Sequence, residues 1–342
     1  MRLPRFEYLK PENLNKLLQM LAIYKNDAKI LAGGTDLLVR MKKGLLKPKF
    51  VISLKDLKEL SYIKQNNENI KIGAKTCIAD IIDSNIIKNK AYALFQACQK
   101  IGAATIQHYK GTIGGNILQD NRCIHYNQSA FHRSGRGACH KDGGKICYAR
   151  DDADRCFSTC QSDGATALMA LDAKLSLAKK GKKRTINLAD FYTSDGIIPF
   201  IIEPDEILTE IIIPIKDGVS FYKRLSCRSS IDYPIVSAGV FLKPLQKNVP
   251  LEKNTIDNAR IVVGAIGRSP LFLSSASLFL KGKKFNDINA FKKASNIAMD
   301  NASTFAVHNI GSTTLEYRCS MIFQMVFQAL EQAVNLNQEN QK

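Results

Sequence analysis

Tryptophan is absent from the 342 residues, and histidine occurs five times. No apolar run approaches the ~18–20 residues that would cross a bilayer as a helix, so membrane insertion is not expected. The first residues, MRLPRFEYLKPENL, carry basic side chains but no apolar core of a secretory signal. A cytoplasmic, reducing compartment is therefore expected, where structural disulfides are rare. The fingerprint G-x-G-x-x-G is missing, and so is the Gly-Lys-Ser/Thr of a phosphate-binding P-loop, which disfavours a nicotinamide-binding Rossmann domain and a P-loop NTPase. Lys and Arg exceed Asp and Glu by a formal +18. There is still no basic helix and no basic stripe interleaved with aromatic residues, so no nucleic-acid partner is expected.

What is present is a globular composition, 45% hydrophobic and 23% charged, enough for a sizeable core and two or three domains. RFEYL, AKILA and FVISL read as short strands. Between them, Leu14, Leu17, Leu18 and Leu21 recur at helical spacing, and DLLVRMKKG reads as a second helix. SYIKQ and IKIGA continue the pattern as strands, followed by the helical segments CIADIID and NKAYALFQACQKIG. SDGATALMALDA reads as a short helix with Asp163 near its start, and AKLSLAKK alternates with the period of a strand. Beyond about Gly181 the texture changes to strands (EILTEIIIPI, VSFYKRL, YPIVSAGVFLK, ARIVVGAIG) and then helices. The last helix, Thr314 to about Ala333, places Leu315, Ile322, Phe323, Val326, Phe327 and Leu330 on one stripe.

Two glycine pairs stand out, Ala32-Gly33-Gly34-Thr35-Asp36 and Thr112-Ile113-Gly114-Gly115-Asn116. Without Cβ, glycine lets the backbone approach a bulky anion, and successive amide N–H groups can cradle phosphate oxygens. Each pair alone could equally be a tight strand-to-helix turn. Together they could clamp a pyrophosphate from two sides.

Between Arg122 and Cys160 lie five of the nine cysteines: Cys123, Cys139, Cys147, Cys156 and Cys160, with 15, 7, 8 and 3 residues between them. A loop this long without periodic pattern is uncommon in a compact domain. Its composition cannot offset the ordering entropy by apolar burial, whereas metal ligation could. Structural zinc favours C-x2–4-C pairs, which only Cys156 and Cys160 approach. An iron–sulfur cluster tolerates irregular spacing. Free thiols or disulfides are the third possibility. His125, His132 and His140 are expected to face solvent or form hydrogen bonds, and Cys77, Cys98, Cys227 and Cys319 to be small core residues.

As an ordered set, ILAGGTDLL, TIGGNI, SDGATALMALDA, YKRLSCRSSIDYPIVSAGV and ARIVVGAIGRSP resemble the FAD-binding medium subunits of the xanthine oxidase family of molybdenum hydroxylases. The resemblance covers essentially the whole chain. It implies an α+β fold: a two-subdomain FAD-binding domain (PCMH/vanillyl-alcohol-oxidase-like) followed by an α+β domain like the CO dehydrogenase flavoprotein C-terminal domain. The expected boundaries are 1–55 for subdomain 1, 56–180 for subdomain 2 with an insertion at 122–160, 181–215 for a linker and strand region, and 216–336 for the C-terminal domain. Carried over by position, FAD would be held by Lys29, Ile30, Leu31, Ala32, Gly33, Gly34, Thr35 and Asp36 and by Thr112, Ile113, Gly114, Gly115 and Asn116. Asp163 and Lys223 would also lie near it. For Asp163 the plain alternative is a first-turn acid favouring its helix.

Most of that family runs almost directly from GGNI to the aspartate helix, so the forty-residue insertion is distinctive. One branch, the flavin (β) subunits of 4-hydroxybenzoyl-CoA reductase, carries such an insertion with a [4Fe–4S] cluster. That branch implies Cys123, Cys139, Cys147 and Cys156 as ligands and leaves out Cys160. It also implies partners: a ferredoxin-like electron donor, a small [2Fe–2S] subunit and a large molybdenum-cofactor subunit. No residue of this chain would be catalytic toward the substrate. The insertion holds seven Lys or Arg against four Asp between Arg122 and Arg155, a charge that could steer an acidic donor. Two other readings stand beside this one. The chain could be the FAD subunit of another molybdenum hydroxylase with an aromatic, N-heterocyclic or aldehyde substrate, or a zinc-stapled binding module without redox role.

Overall fold

The computed structural model describes residues 2–151, 153–247, 249–307 and 313–339. Three sheets organise the chain. The first is a small parallel sheet of β1 (Glu7–Leu9), β2 (Ala28–Leu31) and β3 (Phe50–Ser53), in the order β1-β3-β2. Parallel pairing requires crossovers. The helices Leu14–Tyr24 and Leu37–Lys42 supply them. The first helix starts where the Asn13 side chain accepts from Lys16 N–H at 3.0 Å, and it buries Leu17, Leu18 and Leu21.

The second sheet is antiparallel and contains β4 (Ile63–Gln65), β5 (Asn69–Gly73), β6 (Lys174–Lys179), β7 (Lys182–Asn187) and β8 (Ile207–Pro214). Its order is β4-β5-β8-β6-β7, so β8 lies in the middle, pairing Ile211 with Ile72 on one side and Leu175 on the other. Residues 181–215, expected as a linker and strand region, thus supply β7 and β8 to this sheet. The isoleucine-rich run of β8 is buried almost end to end, as a central strand requires.

The third sheet, β9 (Val219–Leu225), β10 (Val236–Pro244), β11 (Ile256–Gly264) and β12 (Leu271–Phe272), is antiparallel in the order β12-β11-β10-β9. The helices Ile288–Ser303 and Leu315–Glu339 pack with it around a core that includes Val240, Ile261, Phe291, Ile322, Val326 and Leu330. The last helix is longer than its expected span, and Leu315 is exposed rather than part of the buried stripe. The helix Asp163–Ala170 is buried at all eight positions because it is pressed between the third sheet and the helices Tyr92–Lys100 and Ile113–Ile117. That sandwiching puts its N-terminus at the junction of all the elements that form the site.

The insertion has little regular structure, chiefly the short helix Ala130–Ser134 capped by Ser129. Its two ends are closed by an antiparallel bridge in which Arg122 and Thr159 exchange N–H···O bonds, each 2.8 Å. Among the described residues no helix is long and apolar enough to cross a membrane.

Candidate functional site

A cavity of about 930 Å3 lies where the three sheets meet. Its floor is formed by the two glycine turns. They approach so closely that a Cβ on Gly33 would lie 1.5 Å from the carbonyl oxygen of Lys110, just before the second turn. Gly33 is therefore required by space, whereas Gly34 has φ +76°, a left-handed backbone that glycine adopts freely. In the second turn the Thr112 hydroxyl accepts from Gly115 N–H at 3.1 Å, and Gly115 is left exposed at the cavity wall.

Of the positions expected at a flavin, Lys29, Ile30, Ala32, Gly33, Gly34, Thr35, Asp36, Thr112, Gly114, Gly115, Asn116 and Asp163 line this cavity. Leu31 lies beneath the first turn, against Gly34, and Ile113 is buried in the core of the second sheet. Lys223 is elsewhere. Its ammonium is 3.5 Å from Gln332 Oε1 on the last helix, because side chains alternate along β9 and residues 222 and 224 turn toward Asp163. The neighbour Arg224 reaches the cavity only through Asp163, whose carboxylate it holds.

Asp163 is 4% exposed. The Tyr222 hydroxyl donates to one of its carboxylate oxygens, and Arg224 Nη1 lies 3.0 Å from the other. Burial pushes this carboxyl above the ordinary aspartate range, opposed by the Arg224 charge and the Tyr222 hydrogen bond. Arg224 also donates to the carbonyls of Lys100 and Asp232, both at 2.8 Å. It thus fastens the third sheet and its loop 226–235 over the cavity, where Arg228, Ile231, Asp232 and Tyr233 form part of the wall. Asn116 accepts from Ser162 Oγ at 2.8 Å and Gly164 N–H at 3.0 Å, which ties the second glycine turn to the aspartate helix.

The cavity also contains residues that sequence reasoning did not single out: Arg40, Gln107, Gln119, Arg122, Gln161 and the segment around 197–207. Among the described residues, Arg40 Nε, Gln119 Nε2 and Gln161 Oε1 are buried polar atoms without a hydrogen-bond partner. Buried polar groups are normally satisfied, so orphans at a cavity wall fit a polar ligand. Lys29 lines the same wall, its amine held below the usual lysine range by burial and by the nearby Arg40 charge. Cationic side chains at the glycine turns and apolar ones at Ile197, Ile198, Pro199 and Phe200 suit the cavity to a dinucleotide such as FAD.

A second, much smaller chamber lies inside the insertion. Cys123, Cys139, Cys147 and Cys156 all line it, with His125, His140, Lys141 and Ser158. Three backbone features converge the thiols. Cys123 begins a tight turn in which its carbonyl accepts from Tyr126 and Asn127 N–H. Cys139 is bridged to Ile146 through the turn at Asp142-Gly143-Gly144. Cys156 packs against Gly196, where any Cβ would come within 2.7 Å of its sulfur. Burial raises the Cys123 thiol above its ordinary range, opposed by the backbone N–H groups of His125 and Tyr126. Burial raises Cys156 likewise, against hydrogen bonds from Ser158 and the charge of Lys141. Among the described residues no three His, Cys, Asp or Glu side chains are drawn together tightly enough for a single metal ion. His140 Nε2 is 3.0 Å from the Ala153 carbonyl. Cys160 is outside the chamber, buried in the core of the second sheet with its thiol pushed up to about 11 by burial. Of the remaining cysteines, Cys98 is buried, Cys77 and Cys319 are half-buried, and Cys227 is exposed rather than part of a core.

Comparison with known proteins gives the chain its relatives. Residues 4–216 match the model of the FAD binding domain in molybdopterin dehydrogenase, and residues 220–333 match the CO dehydrogenase flavoprotein C-terminal domain. The chain is 29% identical over 287 residues to the nicotinate dehydrogenase FAD-subunit of Eubacterium barkeri, covering 81% of this chain and 80% of that one. It is 25% identical over 334 residues to the carbon monoxide dehydrogenase medium chain of Hydrogenophaga pseudoflava, covering 96% and 97%. A chain of the reconstituted CO dehydrogenase from Oligotropha carboxidovorans superposes with a TM-score of 0.78 at 25% identity, covering 98% of this chain and 99% of that one. An FAD-binding domain with a CO dehydrogenase flavoprotein C-terminal domain, built round this cavity, makes the chain a member of the FAD-binding subunits of the molybdenum hydroxylase (xanthine oxidase/CO dehydrogenase) family, and an oxidoreductase subunit.

Proposed function

We propose that the chain is an electron-transfer subunit that holds FAD in the large cavity and a [4Fe–4S] cluster in the cysteine chamber. The observation that carries the cluster is that Cys123, Cys139, Cys147 and Cys156, far apart in sequence, line one chamber while the fifth cysteine of the insertion lies elsewhere. Their irregular sequence spacing, with 15, 7 and 8 residues between them, suits an iron–sulfur cluster better than the paired C-x2–4-C ligands of a structural zinc. The relatives matched are named for FAD and for their enzymes, so the cluster rests on this chain's own insertion. An FAD-binding domain over residues 4–216 turns the account away from a zinc-stapled module without redox role.

When bound, FAD exchanges electrons in ones or twos and an iron–sulfur cluster one at a time, so the pair would relay electrons between a one-electron donor and a two-electron reaction. This chain's residues do the positioning. Gly33 permits close approach of the two turns, and Gly114 lets the second turn pack against Ala74. Lys29, Arg40 and Arg122 offset the pyrophosphate charge. Asp163, clamped by Tyr222 and Arg224, stands at the polar middle of the cavity, where it can accept from a ribityl or ribose hydroxyl. At the chamber, backbone N–H groups of His125, Tyr126 and Ser158 are placed to stabilise sulfur ligands.

In this reading the chain assembles with a large molybdenum-cofactor subunit and a small [2Fe–2S] subunit and takes electrons from a ferredoxin-like donor. The overall reaction is reductive dehydroxylation of 4-hydroxybenzoyl-CoA. A second reading keeps the same subunit role in a hydroxylase acting on a heterocycle or aldehyde, and the names of relatives support it: nicotinate, glyceraldehyde and caffeine dehydrogenases. The test is anaerobic purification of the complex, with iron, sulfide, zinc, molybdenum and FAD quantified per chain. About four irons and one FAD on this subunit support the reading. Zinc without iron overturns the cluster. Assay of the complex with 4-hydroxybenzoyl-CoA and a low-potential donor, against nicotinate and aldehydes with a dye acceptor, separates the two reactions.

A further inference from the structure

The FAD cavity and the cysteine chamber are joined by an unbroken chain of alternating charges. Arg122 pairs with Asp36, which lies 3.7 Å from Arg40. Arg40 is 3.0 Å from Asp120, and Asp120 is 2.9 Å from Lys141. Two of these residues, Asp36 and Arg40, belong to the first glycine turn and its helix. Asp120 and Arg122 form the stem of the insertion. Lys141 comes from the insertion's middle and lines the chamber. All five side chains are at most 23% exposed, and those of Asp120 and Lys141 are 8% and 5% exposed.

The Lys141 ammonium also donates to the Asn121 carbonyl at 3.0 Å and the Gly196 carbonyl at 2.9 Å, both outside the insertion, and to the Ser158 hydroxyl within it at 3.3 Å. Ser158 N–H in turn lies 3.4 Å from Cys156 Sγ. The same ammonium therefore touches the peptide that carries a proposed ligand and the carboxylate that orients Arg40 at the cavity. The insertion is also held to the first subdomain where Lys43 Nζ donates to the Asn127 carbonyl at 2.7 Å.

We propose that this ion chain couples the two sites, so that an insertion ordered round its metal centre binds FAD more tightly, and bound FAD retains the metal. The proposal rests on the reading of the chamber as a metal site. The physical basis is that the insertion has almost no apolar core of its own, so its order depends on ligand bonds. Without that order Lys141 leaves Asp120. Asp120 then redistributes its attraction onto Arg40, Arg40 shifts relative to Asp36, and Arg122 at the stem is released with them. Arg40 and Arg122 both line the FAD cavity, so the cost appears in FAD affinity. Reciprocity follows, since a coupling between two binding equilibria acts equally in both directions.

The experiment uses the full chain with its iron reconstituted, and the same preparation stripped by a chelator. FAD dissociation constants are read from flavin fluorescence, and iron release is timed with and without FAD. Stripping is expected to weaken FAD binding on the order of tenfold or more. Asp120→Asn and Lys141→Gln break the chain at adjacent links without removing bulk. In either variant that folds, the ratio of stripped to loaded Kd is expected to fall to within about twofold. Arg155→Gln, on the exposed surface of the insertion, should keep the wild-type ratio. Iron that loads normally but leaves FAD affinity and iron release uncoupled overturns the proposal and leaves the cluster standing. A wild-type ratio in both chain-breaking variants overturns the ion chain as the route. Failure of the chain to take up iron overturns the reading of the chamber and the coupling with it.

Discussion

A methyl group at Gly33 probes the cavity floor where it has least room. A Cβ there would sit 1.5 Å from the Lys110 carbonyl oxygen and 2.4 Å from its carbon. Ordinary carbon–oxygen contacts are about 3.3 Å, so the two turns must separate by roughly 2 Å to accept Gly33→Ala. The backbone at Gly33 is not left-handed, so the effect is steric and not conformational. Overpacking of this kind costs about 1–3 kcal/mol. For a domain of some two hundred residues that lowers Tm by roughly 3–10 °C. Parting the turns also removes one side of the pyrophosphate cradle. Charge-assisted hydrogen bonds contribute about 1.5–3 kcal/mol each, so losing two weakens FAD binding by roughly a hundredfold or more. Gly115→Ala is the matched comparison. Its Cβ would meet only the Thr112 hydroxyl, at 3.0 Å, and it faces the cavity. It should melt within about 2 °C of the parent yet bind FAD more weakly. Thermal melts with flavin fluorescence titrations read both quantities. A Gly33→Ala protein with parental Tm and parental Kd would refute the two-turn floor.

Further outcomes follow from charges at the cavity rim. Arg224→Lys keeps the charge but loses the fork that holds Asp163 and the carbonyls of Lys100 and Asp232, so FAD affinity should fall about tenfold or more. Lys223→Ala, on the other face of β9, should change it by less than about twofold, and the same titration checks both. Glu206, which lines the cavity, accepts from Arg184 Nε and Nη2 at 2.8 and 2.7 Å and from Glu203 N–H at 2.9 Å. Burial works to raise its carboxyl, but the Arg184 fork and the Glu203 N–H carry it below the ordinary value of 4.5. A depressed carboxylate stabilises the fold fully above that value and loses the contribution as pH falls through the folded one. Urea unfolding of the parent should therefore weaken more between about pH 5 and pH 3 than that of Glu206→Gln, which should be less stable by about 2 kcal/mol at neutral pH.

Much of the architecture is legible in the sequence because its signals are local. The leucine spacing of residues 14–21, the glycine pairs and the short helix at Asp163 each follow from a few adjacent residues. The sheet position of β8 is not local. Ile211 pairs with strands 36 and 139 residues away in sequence, at Leu175 and Ile72, and no short pattern records such a choice. Lys223 and Arg224 show a different limit. Which neighbour faces a cavity depends on strand register, and one step along β9 exchanges the faces. The insertion's cysteines are visible by count, but the ties that anchor the insertion to the rest of the chain are not. These are Lys141 to Gly196, Asn121 Nδ2 to the Arg268 carbonyl at 2.8 Å, and Cys160 N–H to the Gly267 carbonyl at 3.0 Å. Each joins segments that only the fold brings together. Gln119 and Gln161 were invisible for the same reason, since a lone glutamine acquires meaning only when its amide is buried at a cavity wall.

Which thiols hold iron can be measured directly. Five single variants, Cys123→Ser, Cys139→Ser, Cys147→Ser, Cys156→Ser and Cys160→Ser, can be reconstituted anaerobically and assayed for iron, acid-labile sulfide and the low-temperature EPR signal after reduction. The chamber geometry predicts about four irons per chain in the parent and in Cys160→Ser, with loss of the cluster signal in each of the other four. Retention of a full complement of iron by any two of those four, or its loss in Cys160→Ser with the fold intact, would contradict the chamber as the cluster site.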